Sequence, residues 1–206
     1  MINMIKSLHN LWSDFFMVVK RCRIYDIVIT ALMTAVMCVA SFIAIPVGAV
    51  PVTLQTFVIY IACAVLGTKK ALISVVLYLL LGVLGLPVFS SFRGGIGVLA
   101  GATGGYILGF LLIALISGLI IKVKKNNRIF MFVAFFTGTL MCYLAGTLWY
   151  VVFYIGELSL NNFAGAFSIC VLPFIVPDII KMIVAAIVSK SLCERGILNE
   201  NNRQRT

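Results

Sequence analysis

The charged residues of this chain sit in a few short clusters, and the intervals between them decide what it can fold into. No Asp, Glu, Lys or Arg occurs from Ile27 to Thr68, from Ala71 to Phe92, from Gly94 to Ile121, from Ile129 to Gly156, or from Leu158 to Pro177. A helix needs about 20 apolar residues to cross the hydrocarbon core of a bilayer. Several of these intervals are that long. The first is long enough for two crossings, and Pro46, Gly48 and Pro51 break it in the middle. Composition agrees, with 63% of the 206 residues hydrophobic and 11% charged. A soluble domain carries roughly 25% charge and 45–50% apolar residues. The expected fold is a single all-α transmembrane domain, a six-helix bundle with helices near 27–45, 53–67, 70–86, 104–122, 129–155 and 170–192.

Orientation follows from the basic residues. Lys6, Lys20, Arg21 and Arg23 precede the first expected helix, and Lys69 and Lys70 follow the second. Lys122, Lys124, Lys125 and Arg128 lie between the fourth and fifth, and Lys190, Arg195, Arg203 and Arg205 close the chain. Six crossings put all of these on one side, which the positive-inside rule makes cytoplasmic. Five or seven crossings would scatter them. The net charge of +10 is therefore a topology signal, and nucleic-acid binding is a poor reading of it. Both termini are expected in the cytoplasm, with a tail over 193–206, in the plasma membrane of a prokaryote. The segment before the first helix (1–24) is interrupted by Lys6, His9 and Asp14 and does not resemble a signal peptide. Ile5, Leu8, Leu11, Trp12, Phe15, Phe16 and Val19 fall at helical spacing, so residues 3–20 read as an amphipathic helix on the inner leaflet.

Several chemistries are excluded. Cys22, Cys38, Cys63, Cys142, Cys170 and Cys193 have no metal-ligand spacing and read as small buried hydrophobes. His9, the single histidine, lies outside the expected bundle. No P-loop sequence occurs. An intramembrane enzyme would need a positioned acid–base or nucleophile set, and the only ionisable pair within a span is Asp178 and Lys181. The chain is expected to be no enzyme and to hold no metal or cofactor.

Two basic residues break the cytoplasmic pattern. Arg93 falls in the outer connection 86–103. Lys181 falls in the last helix, three residues after Asp178, on the same helix face. A charge within a span costs about 2.5–3.5 kcal/mol on insertion scales, and such charges usually face a cavity or a partner. Asp178 and Lys181 either line a cavity open to the outside or neutralise one another, with Asp178 also favoured near a helix start after Pro177. The stretch 84–109 is Gly-rich, and Gly97, Gly101, Gly105 and Gly109 recur every four residues. This spacing suits close helix packing or a loop that closes over a ligand. The relaxed dinucleotide fingerprint beginning at Gly95 lacks a βαβ setting and an acid about 20 residues on, and is rejected. Thr53, Gln55 and Thr56 put polar groups at an apolar boundary, where Thr53 could cap a helix or Gln55 could face the cavity. Ala31 and Ala35 are small residues four apart in the first helix.

The segments VPVTLQT (50–56), GLPVFSSFRGGIGVLAGATGGYILGF (85–110) and LPFIVPDIIK (172–181) together resemble the BioY family. Its members are the substrate-capturing S components of energy-coupling-factor (ECF) biotin transporters. The resemblance spans all six expected helices. Ala102 stands where many members have proline, and Pro177 where many have glycine; neither change removes a polar group. The resemblance implies biotin as cargo, a transmembrane T component and two ATPases as partners, and Ala31 and Ala35 as the T-component docking row. For the ligand it implies Asp178 facing the ureido N–H groups, Gln55 or loop N–H groups around Gly94, Gly95 and Thr103 facing the carbonyl, and Lys181 or Arg93 facing the carboxylate. Phe89, Tyr106, Tyr143 and Trp149 would supply apolar walls. The sequence also admits another vitamin on the same architecture, a solitary biotin transporter, and, least favoured, a small intramembrane enzyme.

Overall fold

The structure, a computed structural model, describes residues 24–45, 51–124, 127–157 and 159–194. The expected interfacial helix over 3–20, and the basic residues Lys6, Lys20, Arg21, Arg23, Lys125, Arg195, Arg203 and Arg205, lie outside the described residues.

The architecture is helical. Helix α1 spans Ile24–Phe42. A short antiparallel pair, β1 (Ala44–Ile45) and β2 (Val52–Thr53), joins Ala44 to Thr53 and Ile45 to Val52. Helices α2 (Gln55–Leu66) and α3 (Thr68–Val83) follow. The outer connection holds a 3-10 turn at Ser90–Phe92 and the short α4 (Ile96–Ala100). Helix α5 spans Gly104–Val123, and α6 spans Arg128–Trp149 and runs on through a π-helical stretch, Tyr150–Ile155. Helices α7 (Leu160–Cys170) and α8 (Leu172–Glu194) complete the described chain.

Among the described residues, α1, α5, α6 with its π extension, and α8 are long and apolar enough to cross a membrane. The helix expected over 53–67 is shorter than anticipated because residues 52–53 are taken into the β pair. Its 12 residues span about 18 Å at 1.5 Å per residue, and the 16 of α3 about 24 Å. Both fall short of the roughly 30 Å hydrocarbon core. Helix α1 ends at Phe42, a turn earlier than expected, for the same reason. The strand pair, the two short turns of the outer connection and α7 were unforeseen. The polar residues Asn161 and Asn162 hid α7, whose start is capped by Ser159 Oγ accepting from Asn162 N at 3.1 Å. The hairpin is too short to leave a periodic signal. Helix α8 starts at Leu172, so Pro177 lies inside it and Asp178 is not in its first turn. A helix-start role for Asp178 is thereby removed.

Helices α5 and α6 form the most extensive pairing, and glycines set their distance. A Cβ on Gly105 would fall 2.2 Å from Trp149 Cβ, and one on Gly109 2.5 Å from Cys142 Sγ. From the other side, a Cβ on Gly146 would meet the Tyr106 ring at 2.3 Å. The four-residue row is only half used, because the turn after α4 interrupts it. Gly97 has nothing within 4 Å of a built Cβ.

Helix α1 is tied to α3 by polar contacts. Lys70 Nζ pairs with Asp26 at 2.6 Å, and Thr34 Oγ1 donates to the Ser74 carbonyl at 3.2 Å. Ala31 and Ala35 point the other way and are exposed, beside Val28, Leu32 and Val39. At the start of α6, Asn127 Oδ1 accepts from the backbone N–H groups of Ile129 at 2.9 Å and Phe130 at 3.3 Å. Asn127→Ala is expected to cost about 1 kcal/mol of stability, read as a lower denaturation midpoint in detergent.

Candidate functional site

Helices α2, α5, α6, α7 and α8, strand β2 and the 3-10 turn of the outer connection converge on one cavity. About 600 Å³ of space free of atoms lies between its walls and its open mouth, outside solvent included. Most of its wall is apolar, with Ile107, Phe110, Ile113 and Phe174 among the lining residues. The polar groups are few and come from separate elements: Thr53 from β2, Gln55 and Thr56 from α2, Ser90 from the outer turn, Thr103 and Tyr106 at the start of α5, Thr139 and Tyr143 from α6, Asp178 and Lys181 from α8.

The α8 pair is the electrostatic centre. Lys181 Nζ lies 2.6 Å from Asp178 Oδ1, with the two side chains 10% and 5% exposed. Thr56 Oγ1 joins both partners, accepting from Lys181 Nζ at 3.2 Å and donating to Asp178 Oδ1 at 3.3 Å. Tyr143 donates its hydroxyl to Asp178 Oδ2 at 2.5 Å. The cluster is neutral overall, which lowers the cost of holding two charges in an apolar wall, and hydrogen bonds satisfy both ions as buried pairs require. An ammonium has three N–H donors. Two are engaged within the cluster, which leaves one for a ligand.

Six of the sequence-predicted site residues therefore meet at the cavity: Gln55, Thr103, Tyr106, Tyr143, Asp178 and Lys181. Five do not line it. Phe89 is fully buried, edge-on to Tyr78 at 5.6 Å, in a notch where a Cβ on Gly82 would fall 2.1 Å from its ring. Trp149 stacks on Phe153 at 4.2 Å and donates Nε1–H to the Gly101 carbonyl at 3.3 Å, bracing the turn that carries Thr103. Gly94 packs its backbone against the Leu86 carbonyl, and Gly95, with φ +92°, turns the chain into α4. Arg93 is exposed and donates Nε–H to the Ser90 carbonyl at 3.4 Å. These five residues shape the outer loop, from which Ser90 reaches the cavity. Gly82→Ala would drive a methyl group into the rigid Phe89 ring. An overpacking loss of about 1–3 kcal/mol is expected, with a lower melting temperature in detergent as the readout.

Sequence reasoning missed Thr139 and Cys142 on α6 and Cys170 at the end of α7. Thr139 had a usable signal, since it precedes Tyr143 by four residues and shares its helix face. It accepts from or donates to the buried Tyr60 hydroxyl at 2.6 Å.

A neutral polar cluster sunk in an apolar cavity, among helices of membrane-crossing length, defines a membrane protein built around a small-molecule pocket. The chain belongs to the BioY family, whose sequence model matches residues 13–196. It is 37% identical to the biotin transporter BioY of Thermotoga maritima over 77% of this chain and 90% of that protein. It is 38% identical to the probable biotin transporter BioY of Pyrococcus horikoshii over 81% of this chain and 95% of that protein. Its fold is similar to the crystal structure of the S-component for biotin from an ECF-type ABC transporter. There the TM-score is 0.75 at 27% identity, covering 84% of this chain and 93% of the other.

Proposed function

We propose that this chain is the substrate-capturing S component of an ATP-driven ECF transporter and that its cargo is biotin. The observation that carries the reading is the Asp178–Lys181 pair. It presents an acceptor and a donor side by side while adding no net charge to the pocket. The ureido ring of biotin has the complementary edge, an N–H beside a carbonyl. In this reading the ring N–H donates to Asp178, and the carbonyl accepts from the remaining Lys181 N–H and from Gln55. Tyr106, Tyr143 and Phe174 wall the fused ring and chain. A carboxylate placed beside the pair would add an uncompensated buried charge, at high cost. The valerate is therefore directed to the mouth, towards Ser90, Thr103 and the loop that carries Arg93. Kinship with proteins named as biotin transporters supports the ligand.

The same reading treats α2 and α3 as two short crossings beside the four long ones, giving six, with both termini in the cytoplasm of a prokaryotic cell. The exposed Ala31 and Ala35 face of α1 is where a T component docks. The 206 residues hold no P-loop sequence, so two ATPase subunits supply the energy. Release of the cargo needs a state that binds it less well, and movement of these partners provides that difference. Uptake of labelled biotin into sealed vesicles tests the assembly. Vesicles with this chain alone should bind label without concentrating it, and adding T component and ATPases with ATP should produce accumulation. Concentrative uptake by the chain alone would refute the partner-dependent mechanism.

A further inference from the structure

A second pocket backs onto the first, between α6, α7 and α8. Thr139, Tyr143 and Asp178 line both, and so form the wall they share. On α6 the second pocket is lined by Phe136, Thr139, Leu140 and Tyr143, and on α8 by Ile175, Asp178, Ile179 and Met182. Each set has the i, i+3, i+4, i+7 spacing of a single helix face. The pocket is therefore a groove that follows both helices for about two turns, or roughly 10 Å. Phe167 of α7 and Val171 just after it complete the lining.

Chemistry narrows what can fill this groove. Asp178 Oδ1 accepts from Lys181 and Thr56, and Oδ2 accepts from Tyr143. Thr139 Oγ1 donates to the Phe135 carbonyl at 2.8 Å and is bonded to the Tyr60 hydroxyl at 2.6 Å. The other seven lining side chains are aliphatic, aromatic or thioether. A bound water needs two to four polar partners, and the groove supplies no such set. Left empty, its walls would forfeit their dispersion contacts. The occupant is therefore hydrocarbon, and the surroundings supply it. Phe136 and Leu140 are exposed at the rim, beside the exposed Val133 on α6 and Val176, Ile180 and Ile183 on α8. Both helices are long and apolar enough to cross a membrane, so the rim opens on the acyl chains of the bilayer.

We propose that this groove binds one acyl chain of a membrane lipid, packed behind Tyr143 and Asp178. The inference holds whatever ligand the first cavity takes.

Buried and exposed residues of the same groove separate a bound chain from bulk lipid. Met182 is 2% exposed and Val171 is fully buried, whereas Ile180 is 56% exposed. The full chain is reconstituted into phosphatidylcholine vesicles containing a phosphatidylcholine with a diazirine midway along one acyl chain. After irradiation, labelled residues are located by peptide mass spectrometry. Label is expected on Met182 or Val171 as well as on Ile180. Ile175→Phe, which fills the groove, and Leu140→Trp, which blocks its rim, should each lose the buried label and keep the one on Ile180. Label on exposed residues alone in the wild-type chain, whether the groove is closed or covered by a second copy of the chain, would overturn the inference. So would buried label that persists in both variants.

Discussion

Lys181→Met is expected to abolish biotin binding and to destabilise the protein at the same time. The substitution leaves Asp178 as an unpaired carboxylate, 5% exposed, in an apolar wall. Breaking a buried pair from one side costs about 3–5 kcal/mol. Asp178→Ala should do the same from the other side by stranding the ammonium. The double variant Asp178→Asn with Lys181→Met separates the two effects. It removes both charges, so stability should return to within about 1 kcal/mol of wild type, since neutral replacement of a buried pair is often cost-free. Binding should stay lost, because the ammonium donor is gone and the carboxylate is replaced by an uncharged amide, a weaker acceptor. Melting curves in detergent alongside titration with biotin measure the two quantities. A double variant that recovers binding would remove the pair from recognition.

The second large effect is expected at the α5–α6 contact. Gly105→Ala places a methyl carbon 2.2 Å from Trp149 Cβ, an atom fixed to the helix backbone that cannot swing aside. The helices must separate, and with them the polar groups each brings to the cavity. Those are Thr103 and Tyr106 from one side and Thr139 and Tyr143 from the other. Overpacking of this kind costs about 1–3 kcal/mol, occasionally more, and the displaced pocket should bind biotin at least about tenfold more weakly, as misplacement of its walls predicts. Gly97→Ala is the matched control. A Cβ there meets nothing within 4 Å, and alanine is the better helix former, so stability should hold or rise.

The features most legible in the sequence were those with long-range physical causes. Uninterrupted apolar intervals located α5 and α6, because a membrane span must satisfy its backbone internally over many residues. Asp178 and Lys181 stood out because charge at that depth is expensive. The i,i+3 spacing already implied that they could touch, and in the structure they do. What was hidden depended on short or three-dimensional causes. The two-residue strands pair across only seven to nine positions and are too short to show a period, and α7 carries asparagines in its first turn. Phe89 and Trp149 read as cavity walls by type alone. Their direction is decided by glycines elsewhere in the chain, at 82 and 105, which open the notches they fill. Arg93 read as a ligand cation because it broke the charge pattern, and the turn at Ser90–Phe92 sends it outward. The hydroxyl network of Thr56, Tyr60 and Thr139 joins three helices, and no linear spacing announces it.

The neutral Asp178–Lys181 pocket should capture biotin without help from any partner. Titration of biotin into the purified chain, free of T component and ATPases, measures this directly. Saturable one-to-one binding is expected, with Kd below about 1 μM, that is, more than about 8 kcal/mol. Asp178→Asn should lower the affinity at least about a hundredfold, the loss of a charge-assisted hydrogen bond in a buried site. An absence of saturable biotin binding by the wild-type chain, or an unchanged Kd in Asp178→Asn, would contradict it.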